Sequence, residues 1–324
     1  TVLVTGATGF LGGALARRLA ADGAHVKALA RRPNRDVYIR DIPNIELVTG
    51  DITNADRLTA AAQGCDYVFH VAAAMCGKQD YQCQLNVAGT RNVMQAAVSA
   101  QVQRFVHVSS IAVYGYGYTG DVAEAMLPRP GRVPYNITKA EGETVVQTIG
   151  QSKNVPYTII RPGMIYGPRS GMWTETMFKL ARRRPTIFVG DGGGHVHTIY
   201  VDDVVDLMVT AAAHPAAENE VFNCAPDPTP TWRQFLGGYA KLAGHQSWLG
   251  LPPLLVKIIA PLLEGLLTLT GEPQDIPALI PFATGKTTYK MDKARRLLGW
   301  QPQVSLEEGL RRCEPWLREK GLLV

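Results

Sequence analysis

The amino-terminal end of the chain constrains the fold most strongly, because an apolar strand, a glycine-rich turn and a helix follow one another directly. The strand is Val2-Leu3-Val4-Thr5, and helical periodicity begins at Ala14. Between them, Gly6, Gly9 and Gly12 stand three residues apart. Backbone N–H groups in such a turn, together with the positive end of the helix, face an anion at close range. The pattern predicts a phosphate-binding turn at the start of a parallel α/β sheet.

The alternation of strand and helix continues after this unit. Strands are predicted near 26–30, 46–48, 67–71, 105–108 and 158–160, and helices near 54–62, 84–100 and 135–150. This order is typical of a doubly wound parallel sheet, which binds ligands at the carboxyl ends of its strands. Later in the chain Pro and Gly become frequent and the pattern loosens. We expect a Rossmann domain over 1–167 plus about 200–224, and a smaller, mostly helical C-terminal substrate lobe over about 168–199 and 225–324.

A tyrosine and a lysine stand four residues apart, as Tyr135 and Lys139, shortly after the pair Ser109-Ser110. On a helix, residues at this spacing share one face. An ammonium beside a phenol lowers the phenol's pKa from about 10 toward neutrality. Interconversion of an alcohol and a ketone needs a hydroxyl that exchanges a proton near pH 7. Many surface helices carry this spacing by chance, so its meaning depends on the rest of the chain.

The motifs taken together resemble the extended short-chain dehydrogenase/reductase superfamily. The glycine turn T-G-A-T-G-F-L-G, the serine pair and the Tyr-x-x-x-Lys spacing carry the resemblance, which covers nearly the whole chain. Further matching stretches are 50–52, 69–73, 86–90, 161–163, 200–204 and 293–302. The resemblance implies an enzyme with a nicotinamide cofactor. It leaves the reaction open, because the superfamily contains reductases, dehydrogenases, epimerases and dehydratases.

The resemblance also implies roles for three catalytic residues. Tyr135 would be the acid when a carbonyl is reduced and the base in the reverse direction. Lys139 would lower its pKa and hold the nicotinamide ribose, and Ser110 would bind the substrate oxygen. The register of Val113-Tyr114-Gly115 selects Ser110 rather than Ser109. Asn86 is expected to be structural, tying its helix to a neighbouring loop.

The end of the second strand bears on the choice of nicotinamide cofactor. Ala30 stands where an acidic residue would select NAD, and Arg31 and Arg32 follow it. An arginine fork suits the 2′-phosphate of NADP, so NADP(H) is expected, with NAD(H) as the alternative if the arginines are only solvated. The residues expected to contact the cofactor are Gly6, Thr8, Gly9, Phe10, Leu11, Gly12, Arg31, Arg32, Asp51, Ile52, Ala72, Ala73, Tyr135, Lys139, Pro162 and Gly163.

Two positions depart from the branch of the superfamily that acts on nucleotide sugars. That branch commonly has an asparagine where Met164 stands and an arginine where Val196 stands. A diphosphate needs charge-assisted donors, and both positions are apolar here. These departures favour a hydrophobic substrate. The residues considered for contact with it are Tyr114, Met164, Tyr166 and His197, and a place in the core or on the surface is an equal alternative for each of them.

Residues 248–271 form an unusually apolar segment. On a helical wheel Lys257, Pro261, Glu264 and Thr268 fall in one narrow stripe, and everything else is apolar. The charges and prolines argue against a membrane span. The segment is expected to cover an apolar pocket, pack in a dimer or lie on a membrane surface, with an ordinary core helix as the alternative. Similar stretches occur in the branch that resembles 3β-hydroxysteroid dehydrogenases and 3-ketoacid reductases.

Composition excludes several other classes of protein. The formal charge of +5 is modest, and the densest basic cluster is 182–184, so no nucleic-acid partner is expected. Five cysteines without a C-x-x-C motif suggest a reducing compartment, and we expect a cytoplasmic location. The seven histidines show no metal-ligand spacing, so no metal site is expected. No signal peptide is expected, because the sequence opens on a core strand.

The sequence therefore predicts an NADP-dependent oxidoreductase that interconverts a ketone and a secondary alcohol on a hydrophobic substrate, either sterol-like or long-chain acyl. One alternative is a nucleotide-sugar epimerase or dehydratase. Another is a noncatalytic protein that senses NADP(H). The family suggests a homodimer, and peripheral contact with a membrane stays open.

Overall fold

A computed structural model of the chain describes residues 1–32, 38–116, 118–259 and 276–323. The second half of the apolar segment, including Pro261, Glu264 and Thr268, lies outside the described residues. The strands are β1 (Val2–Thr5), β2 (Val26–Ala30), β3 (Ile45–Thr49), β4 (Tyr67–His70), β5 (Arg104–Val108), β6 (Gly120–Val122), β7 (Tyr157–Pro162), β8 (Met164–Tyr166), β9 (Thr186–Val189), β10 (Thr198–Tyr200), β11 (Glu220–Cys224), β12 (Trp248–Leu251) and β13 (Thr287–Tyr289).

The α-helices are α1 (Phe10–Ala21), α2 (Ala55–Ala62), α3 (Gln79–Cys83), α4 (Thr90–Ser99), α5 (Pro134–Lys153), α6 (Met177–Ala181), α7 (Val201–Ala213), α8 (Trp232–Leu242), α9 (Ile276–Thr284), α10 (Asp292–Leu298) and α11 (Leu306–Glu319). A π-helical stretch over Gln84–Gly89 joins α3 to α4, and residues 253–259 are also helical. The predicted helices near 54–62, 84–100 and 135–150 are therefore present.

Seven parallel strands form the central sheet, in the order β11-β7-β5-β4-β1-β2-β3. Strands β1 and β5 are buried along their whole length, as expected for a parallel sheet that is covered on both faces. The chain runs outward from β1 in one direction through β2 and β3, and in the other through β4, β5 and β7. The strand order therefore reverses beside β1, which is where such sheets bind ligands. The predicted doubly wound fold is confirmed.

Two apolar clusters hold the layers together. One, which includes Leu15 and Val204, packs α1 and α7 against one face of the sheet. The other, which includes Leu58 and Val93, packs α2 and α4 against the opposite face. Three short parallel pairs lie outside the central sheet: β8 with β10, β9 with β12, and β6 with β13. The pairing of β6 with β13 connects the segment that precedes α5 with the segment that precedes α10.

Close packing explains the glycines of the first turn. Gly6 has a left-handed backbone (φ +69°), and a β-carbon there would lie 2.8 Å from the backbone nitrogen of Ala72. A β-carbon at Gly12 would lie 2.2 Å from the carbonyl oxygen of Gly6. Any larger residue at these two positions would push α1 away from β1 or from the loop after β4. The turn keeps its shape only with glycine.

Candidate active site

Ser110 and Tyr135 meet at the carboxyl end of β5. Ser110 caps the short 3₁₀ helix Ile111–Tyr114, its Oγ accepting a hydrogen bond from the backbone N–H of Ala112 at 3.1 Å. Tyr135 lies in the first turn of α5, close enough to Ser110 for the serine hydroxyl to lower the pKa of its phenol. Ser109 is buried, whereas Ser110 is partly exposed. Two hydroxyl groups thus lie near each other at this edge of the sheet.

Lys139 lies one turn further along α5 and is almost completely buried. Its ammonium donates a hydrogen bond of 2.5 Å to the carbonyl oxygen of Val108, the last residue of β5. Burial lowers the pKa of Lys139 to about 8, while the nearby carboxylate of Glu143 raises it. The side chain therefore still carries its charge near neutral pH. The ammonium is fixed at the same edge of the sheet as the two hydroxyls.

The pKa of Tyr135 differs from the sequence expectation, which had Lys139 lowering it toward neutrality. Burial raises the pKa of Tyr135 to about 12, and the neighbouring hydroxyl of Ser110 offsets this only in part. The expected direction is wrong for this structure, because removing the phenolate from water outweighs the neighbouring groups that favour it. The ammonium of Lys139 is directed to a backbone carbonyl instead. Tyr135 is accordingly a protonated phenol at neutral pH.

Asn86 joins the loop after β4 to the helix of Tyr135. Its side-chain oxygen accepts from the backbone N–H of Ala74 at 2.7 Å, and its amide donates to the carbonyl of Ala74 at 2.9 Å. The same amide donates to the hydroxyl of Thr138 at 3.0 Å. The donors and acceptor of this side chain are therefore engaged in holding the backbone. This agrees with the structural role that the sequence suggested for Asn86.

Two buried histidines lie beneath Lys139 and were not singled out from the sequence. The hydroxyl of Thr90 donates to the carbonyl of Asn86 at 2.6 Å, so it accepts at 3.0 Å from Nε2–H of His70. Nδ1 of His70 then accepts from the hydroxyl of Thr5 at 2.8 Å. The ring of His107 lies 5.4 Å from that of His70. Burial, and then the charge of Lys139, lower the pKa of His70 to about 3 and that of His107 well below its ordinary value.

The residues around the glycine turn fit a nicotinamide dinucleotide. Helix α1 begins after Gly9 without a side-chain cap and without an acidic residue in its first turn, so its N–H groups can receive a pyrophosphate. Thr5 fixes the adjoining loop, its hydroxyl accepting from the backbone N–H groups of Val71 at 3.2 Å and Ala72 at 3.3 Å. The expected contacts Thr8, Phe10, Leu11 and Ala73 belong to this turn and loop. Such a dinucleotide supplies or accepts the hydride of the reaction.

The remaining expected cofactor contacts lie at the ends of neighbouring strands. Arg31 and Arg32 follow β2 and are exposed, while residues 33–37 are outside the described chain. Asp51 follows β3, and one of its oxygens accepts from the backbone and hydroxyl of Thr53 at 2.9 and 2.8 Å. Ile52 is buried next to it. Pro162 ends β7, and a β-carbon at the adjoining Gly163 would lie 2.1 Å from the carbonyl oxygen of His197.

Two of the residues considered for substrate contact are core residues. Tyr114 is fully buried, and its hydroxyl donates to the side-chain oxygen of Asn223 at 2.9 Å. Tyr166 is also buried, with its ring edge-to-face against Tyr200 and Phe235. Their placement corrects the expectation that they line a pocket. The short strand β8 turns Tyr166 inward, and this was not visible from the sequence.

The two apolar positions that distinguished the chain from the nucleotide-sugar branch are buried, as is the neighbouring histidine. Met164 and Val196 belong to the main apolar cluster. The Nε2 of His197 is hydrogen-bonded to the carbonyl oxygen of Thr287 at 2.9 Å. Burial lowers the pKa of His197 to about 4, so the ring is neutral at physiological pH. Its ring packs edge-to-face against Tyr289 at 4.7 Å.

A buried ion pair lies behind the catalytic residues. Glu143 accepts two hydrogen bonds from Arg161, at 2.8 and 2.6 Å. Arg161 also donates to the hydroxyl of Tyr114 at 2.7 Å. From the sequence, Arg161 was included only within the family-like stretch 161–163, and Glu143 was passed over. The signal was available, because Glu143 follows Lys139 at the same four-residue spacing that joins Lys139 to Tyr135.

Within the described ranges, no group of three or more His, Cys, Asp or Glu side chains is arranged to hold a metal ion. No helix in the same ranges combines the length and apolar character needed to cross a bilayer.

Comparison with known proteins identifies the family. Residues 2–225 match the NAD dependent epimerase/dehydratase family. The chain is 30% identical to UDP-glucose 4-epimerase of Mycolicibacterium smegmatis, over 98% of this chain and 99% of that protein. It is 30% identical to 2-alkyl-3-oxoalkanoate reductase of Stenotrophomonas maltophilia, over 97% of this chain and 98% of that protein. It is 29% identical to 3beta-hydroxysteroid-dehydrogenase/decarboxylase isoform 1 of Arabidopsis thaliana, over 83% of this chain and 66% of that longer protein.

The family match spans the glycine turn, the central sheet and the helix of Tyr135 and Lys139, which are the parts that form the site described above. The relatives named above include a dehydrogenase, a reductase and an epimerase. The chain therefore belongs to the NAD dependent epimerase/dehydratase family of extended short-chain dehydrogenases/reductases, and is an NAD(P)-dependent enzyme of that family.

Proposed function

We propose that this enzyme is an NADP-dependent oxidoreductase that interconverts a ketone and a secondary alcohol on a hydrophobic substrate, sterol-like or long-chain acyl. The observation that carries the proposal is the meeting of Ser110 and Tyr135 at the carboxyl end of β5, with the buried ammonium of Lys139 one turn further along the helix. Ser110 donates to the carbonyl oxygen of the substrate, and the phenol of Tyr135 gives that oxygen its proton as the carbonyl carbon gains a hydride. With the cofactor bound, Lys139 would hold its nicotinamide ribose.

The raised pKa of Tyr135 bears on its protonation state in the reaction. At neutral pH the phenol keeps its proton, which is the form that the acid in ketone reduction needs. The enzyme accelerates both directions, and the ratio of reduced to oxidised cofactor decides which one prevails.

The substrate class is supported by two kinds of observation. Met164 and Val196 are buried apolar residues where charge-assisted anchors for a diphosphate would be expected. Two relatives are named for a 3beta-hydroxysteroid and for a 2-alkyl-3-oxoalkanoate, both largely hydrocarbon. The preference for NADP is supported by Arg31 and Arg32, exposed at the end of β2 where no carboxylate stands.

A nucleotide-sugar epimerase is the second candidate, because a relative that matches over nearly its full length is a UDP-glucose 4-epimerase. An epimerase of this kind would keep its cofactor bound and show no net turnover of it. A protein that only senses NADP(H) would bind the cofactor and oxidise nothing. The three candidates thus differ in whether free NADPH is consumed.

The deciding experiment measures NADPH consumption by the purified protein with ketones graded by alkyl chain length, and with UDP-glucose and UDP-galactose as controls. We expect turnover that rises with chain length or with sterol-like ring systems. Interconversion of the two sugar nucleotides without consumption of NADPH would replace the proposal by the epimerase. Tight binding of NADPH without any turnover across the panel would favour the sensor.

A further inference from the structure

An exposed apolar surface lies on the pair of strands β9 and β12 and on the helix that follows β12. Ile187 and Leu249 are register partners in this pair, and each keeps about half of its surface exposed (54% and 49%). Leu254 and Ile258, one turn apart on the helix 253–259, are exposed to 69% and 67%. We call these four residues, together with Trp248, the apolar face. Contiguous apolar exposure of this kind on an otherwise ordinary surface marks an interaction site.

Cations outnumber carboxylates around the apolar face, where Asp191 is the nearest acid in the sequence. Three arginines at 182–184 lead directly into β9, and Lys257 lies between the exposed residues of the helix. Arg233 stacks on the half-exposed ring of Trp248 at 3.9 Å. Residues 176–190 and 243–259 contain no Asp or Glu.

None of the cations at 182–184, 233 and 257 takes part in an ion pair with another described residue. Arg182 and Arg184 donate only to backbone carbonyls, those of Leu322 and Gly244, and Arg233 donates to the carbonyl of Asp191. The carboxylate of Asp191, the nearest acid in the sequence, accepts instead from the backbone N–H of Gly193. The positive charge of this surface is therefore available to an outside partner.

We propose that the apolar face docks on an anionic phospholipid bilayer. Apolar side chains that enter the boundary between headgroups and acyl chains, with Lys and Arg around them, are the features of proteins that lie on membrane surfaces. A tryptophan beside an arginine suits the same level of the bilayer. Each cation near an anionic surface contributes about 1 kcal/mol, so the cations at 182–184, 233 and 257 strengthen the attachment.

A second copy of the chain is a poorer occupant for this face. In a two-fold dimer the same patch meets itself, so the excess positive charge of one copy would be brought against that of the other. Lipid headgroups carry the opposite charge and have no such conflict. The inference does not depend on the proposed reaction, because docking requires no turnover.

The test is flotation of the full-length protein with vesicles of phosphatidylcholine alone and of phosphatidylcholine mixed with phosphatidylglycerol. We expect binding to the anionic vesicles that weakens as salt is raised, and little binding to the neutral ones. Arg183→Glu with Lys257→Glu should weaken binding by tenfold or more, since each lost cation is worth roughly fivefold. The matched control is Arg91→Glu, an exposed arginine of α4.

The apolar contribution is tested with the double variants Ile187→Ser/Leu249→Ser and Leu254→Ser/Ile258→Ser, with Leu127→Ser as the control because Leu127 is also exposed. Thermal unfolding checks that each variant folds. Two double variants are used so that, if one of them fails to fold, the other still tests the proposal. Either pair should reduce flotation while the control leaves it unchanged. Absence of flotation with anionic vesicles, or unchanged flotation of folded variants, would overturn the proposal. So would a dimer that the same substitutions dissociate, since the face would then belong to a second copy.

Discussion

Glu143 and Arg161 form a bidentate ion pair with both side chains almost completely buried. Glu143 belongs to α5, which carries Tyr135 and Lys139, and Arg161 belongs to β7, which ends at Pro162. The third nitrogen of Arg161 reaches Tyr114, in the turn that Ser110 caps. The pair therefore fixes the catalytic helix, the serine turn and the strand that leads to the cofactor in one arrangement.

Replacing Glu143 by Gln should lower the free energy of unfolding and move the alkaline limit of activity to lower pH. Arg161 would lose its counter-ion inside the protein, and breaking a buried pair in this way costs about 3–5 kcal/mol. Lys139 would also lose the carboxylate that raises its pKa, so that pKa should fall below about 8. Urea unfolding measures the first effect. The pH profile of NADPH oxidation measures the second, with its alkaline limb moving to lower pH.

The control for this variant is Glu141→Gln, two residues earlier on the same helix and exposed. It should leave the unfolding free energy within about 0.5 kcal/mol of the parent, as surface substitutions usually do. If Glu143→Gln behaved like Glu141→Gln in both measurements, the ion pair would have no part in holding the site.

The elements that carry the candidate site could be predicted because their sequence patterns are local. Tyr135 and Lys139 share a helix face, and the glycine turn is contiguous in sequence, so periodicity reveals both. The role of Tyr114 was hidden, because its partners Arg161 and Asn223 come from β7 and β11, far away in sequence. Contacts of this kind depend on tertiary packing, which no local pattern records.

The same distinction applies to the fold. Helices separate most of the strands from β1 to β7, and this repeated order predicted the parallel sheet. The pairing of β6 with β13 brings together residues more than 160 positions apart in strands of three residues each. Strands so short carry too little periodicity to be recognised. The direction of the Tyr135 pKa was also missed, because burial is a property of the folded protein.

Tyr135→Phe should lower the rate of ketone reduction by about 10² or more, because the proton donor is removed. Affinity for NADPH should change little, since the phenol contributes only one hydroxyl to the site. Single-turnover kinetics with fluorescence titration of NADPH separate these effects. Tyr81→Phe, at an exposed tyrosine, is the matched control. Turnover near that of the parent would rule out Tyr135 as the acid.

Arg31→Ala should weaken binding of NADPH far more than binding of NADH. The guanidinium is exposed at the end of β2, where a 2′-phosphate would accept charge-assisted hydrogen bonds worth about 1.5–3 kcal/mol. The ratio of the two dissociation constants, measured by calorimetry, should therefore shift by about tenfold or more. Arg91→Ala provides a control for the lost charge. Equal effects on both cofactors would mean that Arg31 is only a solvated side chain.

Lys139→Met should abolish most of the activity and stabilise the protein at neutral pH. The pKa of Lys139 is about 8 in the folded chain against about 10.5 for a free lysine, so folding at pH 7 includes the cost of burying an ammonium. Methionine avoids that cost, and we expect the unfolding free energy to rise by about 1–3 kcal/mol. In the parent, the hydrogen bond from Lys139 to Val108 offsets part of the cost.

The pH dependence of this gain follows from the sign of the shift. Below about pH 8 the lysine is charged in both states and the cost is complete. Between about 8 and 10.5 the folded protein holds the neutral amine while the unfolded chain holds a proton, so raising the pH favours folding. The advantage of methionine should shrink over that interval in urea unfolding. The control is Lys153→Met, because Lys153 is exposed near the end of the same helix. Its difference from the parent in unfolding free energy should stay constant over that pH interval.

His107→Leu should make the protein less sensitive to acid. His107 is fully enclosed, neither ring nitrogen has a hydrogen-bond partner among the described residues, and its pKa lies well below 6.5. The unfolded chain takes up a proton as the pH falls through 6.5 and the folded protein does not, so each further pH unit costs about 1.4 kcal/mol of stability. Leucine removes the loss of stability that is due to His107. The loss that is due to His70 is the same in the parent and in the variant. Urea unfolding across the range below pH 6.5 should show a shallower decline for His107→Leu than for the parent or for the surface control His25→Leu. Parallel declines in all three proteins would mean that His107 takes up its proton in the folded state.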